Sequence, residues 1–171
     1  MKRKGFTLVE LMIVILIIGI LTTMAVPMYR KTIETSKATD ALAILNAIAN
    51  ANRMYNLDTG NYANGEVNSR HVLVRNKYMA DHPWASYQWK FCACNTYNCG
   101  GCGGGCGGIG IVPSTRNNLQ PVNIYSGYSG IIACAYNDPT LESPYNTWKY
   151  KIDDTGKCHH FGIKVPPCPK M

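Results

Sequence analysis

An apolar stretch near the amino terminus, Phe6 to Met28, constrains this chain more than any other feature. It carries a single charge, Glu10, and the run from Leu11 to Tyr29 carries none. A helix rises about 1.5 Å per residue, so a helix over this run approaches the roughly 30 Å of hydrocarbon in a bilayer. The sequence therefore predicts a membrane-spanning helix over residues 6–28.

Glu10 is the unexpected residue of this stretch. An ionised carboxylate among lipid tails costs on the order of 3 kcal/mol, even on insertion scales that rate this cost low. A plain anchor gains nothing from it, so we expect Glu10 to have a partner of opposite charge. The basic residues Lys2, Arg3 and Lys4 favour a cytoplasmic amino terminus by the positive-inside rule. Everything after Met28 is then expected on the other side of the membrane.

The order of residues in this region follows a known pattern. Gly5 is followed by FTLVE at residues 6–10, then by the long aliphatic run, and then by Pro27 and Tyr29. This order resembles the processing and assembly segment of type IV pilins and type II secretion pseudopilins. The resemblance implies a leader of residues 1–5 that is removed between Gly5 and Phe6.

Two residues take further roles from the same resemblance. It implies N-methylation of the new amino-terminal residue, Phe6. It also implies that the Glu10 carboxylate pairs with the free amine of a neighbouring subunit entering a filament. Two separated charges are costly in lipid and their pairing removes both costs, so Glu10 is expected to set the register between subunits.

The resemblance also implies partners and locations. The expected partners are further copies of this chain in a helical homopolymer, other pilins or pseudopilins, the inner membrane, prepilin peptidase, an assembly platform and a cytoplasmic ATPase. The ATPase is expected because the chain has no nucleotide-binding motif of its own. The chain is expected in the inner membrane before assembly and in a periplasmic or cell-surface filament, a pilus, afterwards.

Two simpler interpretations explain less of the sequence. A conventional secretory signal could end at Thr23-Met24-Ala25, but the apolar run is too long for one and Glu10 has no purpose there. A plain single-span anchor explains the length, but neither Gly5 nor Glu10.

The net charge does not indicate a nucleic-acid partner. The chain has 17 basic and 10 acidic residues, which gives a net charge of +7. Removal of the leader takes away three basic residues and lowers the net charge to +4. A nucleic-acid surface needs a basic stripe, whereas the remaining basic residues of the second half are scattered: Arg70, Arg75, Lys77, Lys90 and Arg116. Nucleic acid is left open as a partner, without support.

The helix is expected to continue past the membrane as an amphipathic segment over residues 29–57. Its apolar residues recur at spacings of three and four and form a stripe that should carry the head: Ala38, Ala41, Leu42, Leu45, Ile48 and Ala49. Phe6 to Leu57 would then be one helix, which ends at the turn sequence of residues 58–61. Pro27 predicts a kink near Thr23, and the resemblance implies loosening between Gly19 and Pro27.

The remaining residues, 58–171, are expected to form a globular head with an antiparallel sheet. Residues 87–94 alternate as a half-buried strand with Trp89, Phe91 and Ala93 facing the helix, and residues 130–136 are apolar enough for a central strand. Residues 148–165 predict a hairpin around the turn at 153–156, with alternating apolar residues from Trp148 to Val165. Trp84 is expected in the core. The fold class is therefore α+β, with a long amino-terminal helix packed against a small antiparallel sheet.

All eight cysteines follow the helix, so export would place them in an oxidising compartment. They are Cys92, Cys94, Cys99, Cys102, Cys106, Cys134, Cys158 and Cys168. The even number favours disulfides, whose pairing stays open among 105 arrangements. The resemblance implies a disulfide that closes a carboxy-terminal loop. The alternative is a metal or iron–sulfur site, because Cys99-x-x-Cys102-x-x-x-Cys106 has a ligand-like spacing. We expect no metal and no cofactor.

No catalytic constellation is visible around the four histidines, and we expect no enzyme. The resemblance instead implies a structural subunit of a type IV pilus. A pseudopilin of a type II secretion system is the first alternative, and a membrane-anchored, cysteine-rich metal-binding module is the second.

Overall fold

The computed structural model of the chain describes residues 6–95, 99, 102 and 130–169. Helix α1 runs from Leu8 to Thr59 and contains Pro27. It begins and ends two residues later than expected, and the positive φ of 77° at Gly60 ends it. The chain divides into two compact units between Ala38 and Thr39, and each is described by itself. The predicted kink near Thr23 stays a prediction.

The second unit contains a sheet of five antiparallel strands in the order β1-β2-β3-β4-β5. The strands are β1 (Gly65–Glu66), β2 (Trp89–Ala93), β3 (Ile131–Asn137), β4 (Lys149–Asp153) and β5 (Cys158–Phe161). A short helix, α2 (Val72–Arg75), lies between β1 and β2. The predicted α+β class and the central position of β3 are confirmed. The sequence predicted neither β1 nor α2, because elements of two and four residues leave little periodicity.

The apolar stripe of α1 is buried as predicted. Its members from Ala38 to Ala49 are all buried: Ala38, Ala41, Leu42, Leu45, Ile48 and Ala49. Asn52 follows on the same helix and is also fully buried, at 0% exposure. Its amide nitrogen donates to the carbonyls of Ala63, Cys94 and Ile132, and its oxygen accepts from the Ala63 N–H. One buried amide therefore connects the helix to a loop, to the end of β2 and to β3.

The predicted alternation of β2 is confirmed at four of its five positions and is wrong at Cys92. Trp89, Phe91 and Ala93 are buried as predicted and Lys90 is exposed, but Cys92, on the same face as Lys90, is also fully buried. Cys92 forms a disulfide with Cys102, which is itself buried, so the bond covers that face at this position. Alternation along one strand cannot reveal a cover that arrives from elsewhere in the chain.

The predicted hairpin is present as β4 and β5, but its second strand is shorter than expected. Pairing ends at Phe161, and Ile163 is 58% exposed. Gly162, the residue after Phe161, has a φ of 126°, which lies outside the range of a strand. A side chain there would also collide with the Thr147 carbonyl. The predicted continuation through Ile163 and Val165 is therefore wrong.

Candidate functional site

The amino end of α1 carries the predicted assembly residue, Glu10, in a reciprocal arrangement with Thr7. Glu10 Oε2 accepts hydrogen bonds from the Thr7 N–H and from Thr7 Oγ1, both at 2.8 Å. The Glu10 N–H donates back to Thr7 Oγ1 at 3.3 Å. This is a capping box, which satisfies backbone donors that the first turn of a helix leaves unpaired.

Thr7 is not among the predicted residues, although the Thr-x-x-Glu spacing of residues 7–10 is a known signal for a capping box. The consequence for Glu10 is direct. Its carboxylate has a local role in starting helix α1, and Thr7 supplies hydrogen bonds but no opposite charge. An intermolecular role for Glu10 then has to be compatible with this local one.

The surface that follows Glu10 is apolar and exposed. Phe6 is 85% exposed, and large aliphatic side chains from Leu8 to Met28 are exposed as well. The helix contains a stretch long and apolar enough to cross a membrane. Burying apolar surface gains about 25 cal/mol per Å², so a stretch of this kind is stable only against lipid or against other apolar segments.

The structure places the other predicted residues of this segment as follows. Gly5, on the leader side of the expected cut, lies outside the described residues. Pro27 lies inside α1. A Cβ added at Gly19 would meet no atom within 4 Å. Thr23 Oγ1 donates to the Ile20 carbonyl at 2.7 Å, a local hydrogen bond of the kind that often bends helices.

The described cysteines are paired in disulfides, which confirms the prediction that the chain contains them. Cys92 bonds to Cys102 and Cys94 to Cys99, so two bonds close short loops after β2. Cys134 of β3 is disulfide-bonded as well. Cys106 lies outside the described residues. A cysteine binds a metal ion through its thiolate, and a sulfur atom in a disulfide is not a thiolate.

The carboxy-terminal segment, residues 162–169, is fixed to the sheet at several points. Cys158 of β5 bonds to Cys168, and their Cα atoms are 5.9 Å apart. The Trp148 indole N–H donates to the Ile163 carbonyl at 3.0 Å. The Tyr150 hydroxyl donates to the Pro166 carbonyl at 3.0 Å, and burial raises the pKa of that hydroxyl to about 12. These contacts hold the segment along the last two strands.

The turn between β4 and β5 is organised by Asp153. One of its carboxylate oxygens accepts from Thr155 Oγ1 and from the Lys157 N–H, and the other lies 2.9 Å from Nε2 of His159. Burial raises the pKa of Asp153, but the hydrogen bonds from Thr155, His159 and Lys157 outweigh it, so the pKa is lowered on balance. No cluster of three or more metal-ligating side chains occurs in the part of the chain that the structure describes.

The expectation that Trp84 belongs to the core is wrong. Trp84 is half-buried, and it borders a cavity of about 280 Å³ on the second unit. Its indole N–H donates to Asp81 Oδ1 at 2.8 Å, which keeps it at the surface. An aromatic residue beside proline suggested packing, but the carboxylate three residues earlier gives the indole nitrogen a polar partner.

Comparison with known proteins places the amino-terminal segment in a family. The family model described as the prokaryotic N-terminal methylation motif matches residues 1–26. The chain is 41% identical over 61 residues to the type II secretion system core protein G of Escherichia coli (strain K12), covering 36% of this chain and 42% of that protein. It is 32% identical over 94 residues to the type IV major fimbrial protein FimA of Dichelobacter nodosus, covering 55% of this chain and 58% of FimA.

These matches span about half the length of the relatives, 42% and 58% respectively. No solved structure matches the chain. The match over residues 1–26 includes Gly5, Phe6 and Glu10, three of the residues on which the resemblance was based. The chain therefore carries the prokaryotic N-terminal methylation motif, and its recognition as a relative of type IV pilins and type II secretion pseudopilins is confirmed.

Proposed function

We propose that this chain is a structural subunit of a type IV pilus. The observation that carries the proposal is the exposed apolar segment of α1, which has Glu10 in a capping box near its start and overlaps the methylation motif. Such a segment is stable in the inner membrane before assembly. In a filament, the same segments from many copies would bury one another and the heads would lie outside.

The cut between Gly5 and Phe6 supplies the charge that Glu10 needs in this proposal. It exposes a free amine at Phe6, which is then methylated and stays cationic. A neighbouring copy brings its Glu10 to that amine, because an ion pair is far less costly in an apolar interior than two separate charges. The capping box holds the Glu10 side chain at the start of the helix, beside the residue that becomes the new amino terminus.

Assembly of this kind needs partners. They are a prepilin peptidase for the cut and the methylation, an assembly platform in the inner membrane, and a cytoplasmic ATPase that supplies the energy for extraction. The product is a helical homopolymer on the cell surface, to which other pilins can contribute.

The test compares Glu10→Gln with Asp40→Asn, an exposed carboxylate on the same helix. We expect filaments sheared from cells to fall at least tenfold for Glu10→Gln and to stay at the wild-type amount for Asp40→Asn. Mass spectrometry of the mature chain should show an N-methylated Phe6 in both variants. Wild-type filament yield from Glu10→Gln would contradict the pairing.

A pseudopilin of a type II secretion system is the second candidate, favoured by the 41% identity to the core protein G of Escherichia coli. Deletion of the chain distinguishes the two candidates. Loss of surface filaments with normal release of secreted enzymes indicates the pilus, and the opposite pair of results indicates the pseudopilin.

A further inference from the structure

A cavity on the second unit lies at the edge of the sheet, far along the sequence from the assembly segment. It has a volume of about 280 Å³, close to the lower end of roughly 300 Å³ for small-molecule sites. Three aromatic residues border it: Trp84, Tyr87 and Phe91. Trp84 begins the 3-10 turn at residues 84–86, Tyr87 follows this turn, and Phe91 lies in β2. The volume suits one sugar ring or a ligand of similar size.

The aromatic walls of this cavity are held in place before any ligand arrives. Asp81 accepts hydrogen bonds from the Trp84 indole at 2.8 Å and from Ser69 Oγ at 2.9 Å. The Trp84 and Phe91 rings lie 6.0 Å apart at 66°, and the Tyr87 and Phe91 rings 5.9 Å apart at 88°. Fixed rings lose little conformational entropy when they bind a ligand.

The cavity also borders an unpaired stretch of strand edge. Hydrogen bonds alternate in direction along an antiparallel strand. Cys94 bonds to β3 through its N–H, and the Phe91 carbonyl accepts from Val67 on the opposite side at 2.8 Å. By this alternation the backbone N–H and C=O of Trp89 point to the same side as those of Phe91.

Nothing in the described part of the chain pairs with that backbone, because the chain turns away after Val67. The side-chain oxygen of Asn68 accepts from the Arg70 N–H, and the backbone carbonyl of Asn68 accepts from the His71 N–H, both at 2.9 Å. Trp89 itself borders the cavity and is only 3% exposed. Its buried indole N–H also has no acceptor among the described residues.

We propose that this cavity binds a neutral acetamido sugar. The apolar face of the sugar ring lies against Trp84 and Tyr87, the aromatic residues of the cavity that are only half-buried. The acetamido group supplies one acceptor and one donor to the free edge at Trp89. Glu66 and Lys90, which border the cavity with opposite charges, suit hydroxyl groups rather than a charged ligand. No covalent step is involved.

The experiment measures binding to the full chain in detergent micelles by isothermal titration calorimetry. The probes are N-acetylglucosamine, glucose and N-acetylalaninamide, the last a small amide without a sugar ring. We expect N-acetylglucosamine to bind at least tenfold more tightly than either of the others. Equal binding of glucose would overturn the role of the acetamido group, and tighter binding of N-acetylalaninamide would show a peptide site instead.

Variants connect the binding to the cavity. Trp84→Ala should weaken binding of N-acetylglucosamine at least tenfold, while Trp84→Phe should keep most of it. Asp81→Ala removes the anchor of Trp84 without touching the ligand, and we expect a loss of several-fold. Tyr78→Ala is the control, since Tyr78 packs on Tyr55 away from the cavity. Unchanged binding in both Trp84→Ala and Asp81→Ala would overturn the proposal.

Discussion

Arg53 on helix α1 donates from Nη2 to the backbone carbonyl of Asp153 at 3.0 Å, and this contact joins the helix to the far end of the sheet. Nε of the same side chain donates to the Asp154 carbonyl at 3.2 Å. The helix therefore holds the β4–β5 turn by charged hydrogen bonds, in addition to the apolar stripe. Loss of either kind of contact should loosen the head.

Arg53→Ala should lower the free energy of unfolding of the head by about 1–3 kcal/mol, because hydrogen bonds from a charged donor contribute that amount. Arg53→Lys should recover only part of it, since an ammonium group cannot reach both carbonyls with a fixed fork. Urea unfolding in detergent micelles measures the change. Arg75→Ala, at an exposed position, is the matched control and should leave the midpoint unchanged.

Asn52→Leu should destabilise the head more, by roughly 2–4 kcal/mol, because several buried carbonyls lose their donor at once. Those carbonyls belong to Ala63, Cys94 and Ile132. Hydrogen exchange of the full chain measures the opening of β3 relative to wild type. Exposed Asn61→Leu serves as the control, and equal exchange in the two variants would show that the buried amide is unimportant.

Replacement of both Cys158 and Cys168 by serine should cost about 2.5 kcal/mol, because the bond closes a loop with a sequence separation of 10. The loss should appear as a lower urea midpoint under oxidising conditions. The double variant lacks this bond, so reduction should lower its stability less than it lowers that of the wild type. An identical loss in both proteins would mean that this disulfide contributes nothing.

Asp153 should make the stability of the head depend on pH on the acidic side. Hydrogen bonds from Thr155, His159 and Lys157 overcome the effect of burial and lower its pKa below the usual 3.8. A lowered pKa means that the folded state favours the carboxylate, so this stabilisation is complete above the unfolded pKa and is lost as the pH falls through the folded pKa. Urea midpoints at pH 6 and pH 3 should therefore differ less in Asp153→Asn than in wild type.

Features set by local patterns were predictable from the sequence. The buried stripe from Ala38 to Ala49 follows from spacings of three and four along one helix, and the motif around Glu10 follows from residue order alone. The hairpin of β4 and β5 was also visible, because a turn of Asp and Gly separates two alternating runs. Each of these signals lies within a few consecutive residues.

Features that depend on distant partners were not predictable. In the sequence, Asn52 cannot be told from other polar residues of the helix, because its partners Cys94 and Ile132 lie far along the chain. The second covered face of β2 depends on the disulfide from Cys92 to Cys102, one of many pairings that the composition permits. The surface position of Trp84 depends on Asp81, whose carboxylate accepts from the indole N–H.

The attachment of the carboxy-terminal segment has a consequence for proteolysis. Lys164 is exposed, so a protease that cuts after lysine can reach it. The residues beyond the cut would stay tethered to β5 by the bond between Cys158 and Cys168. A nicked chain would therefore migrate on a gel as an intact one until reductant is added.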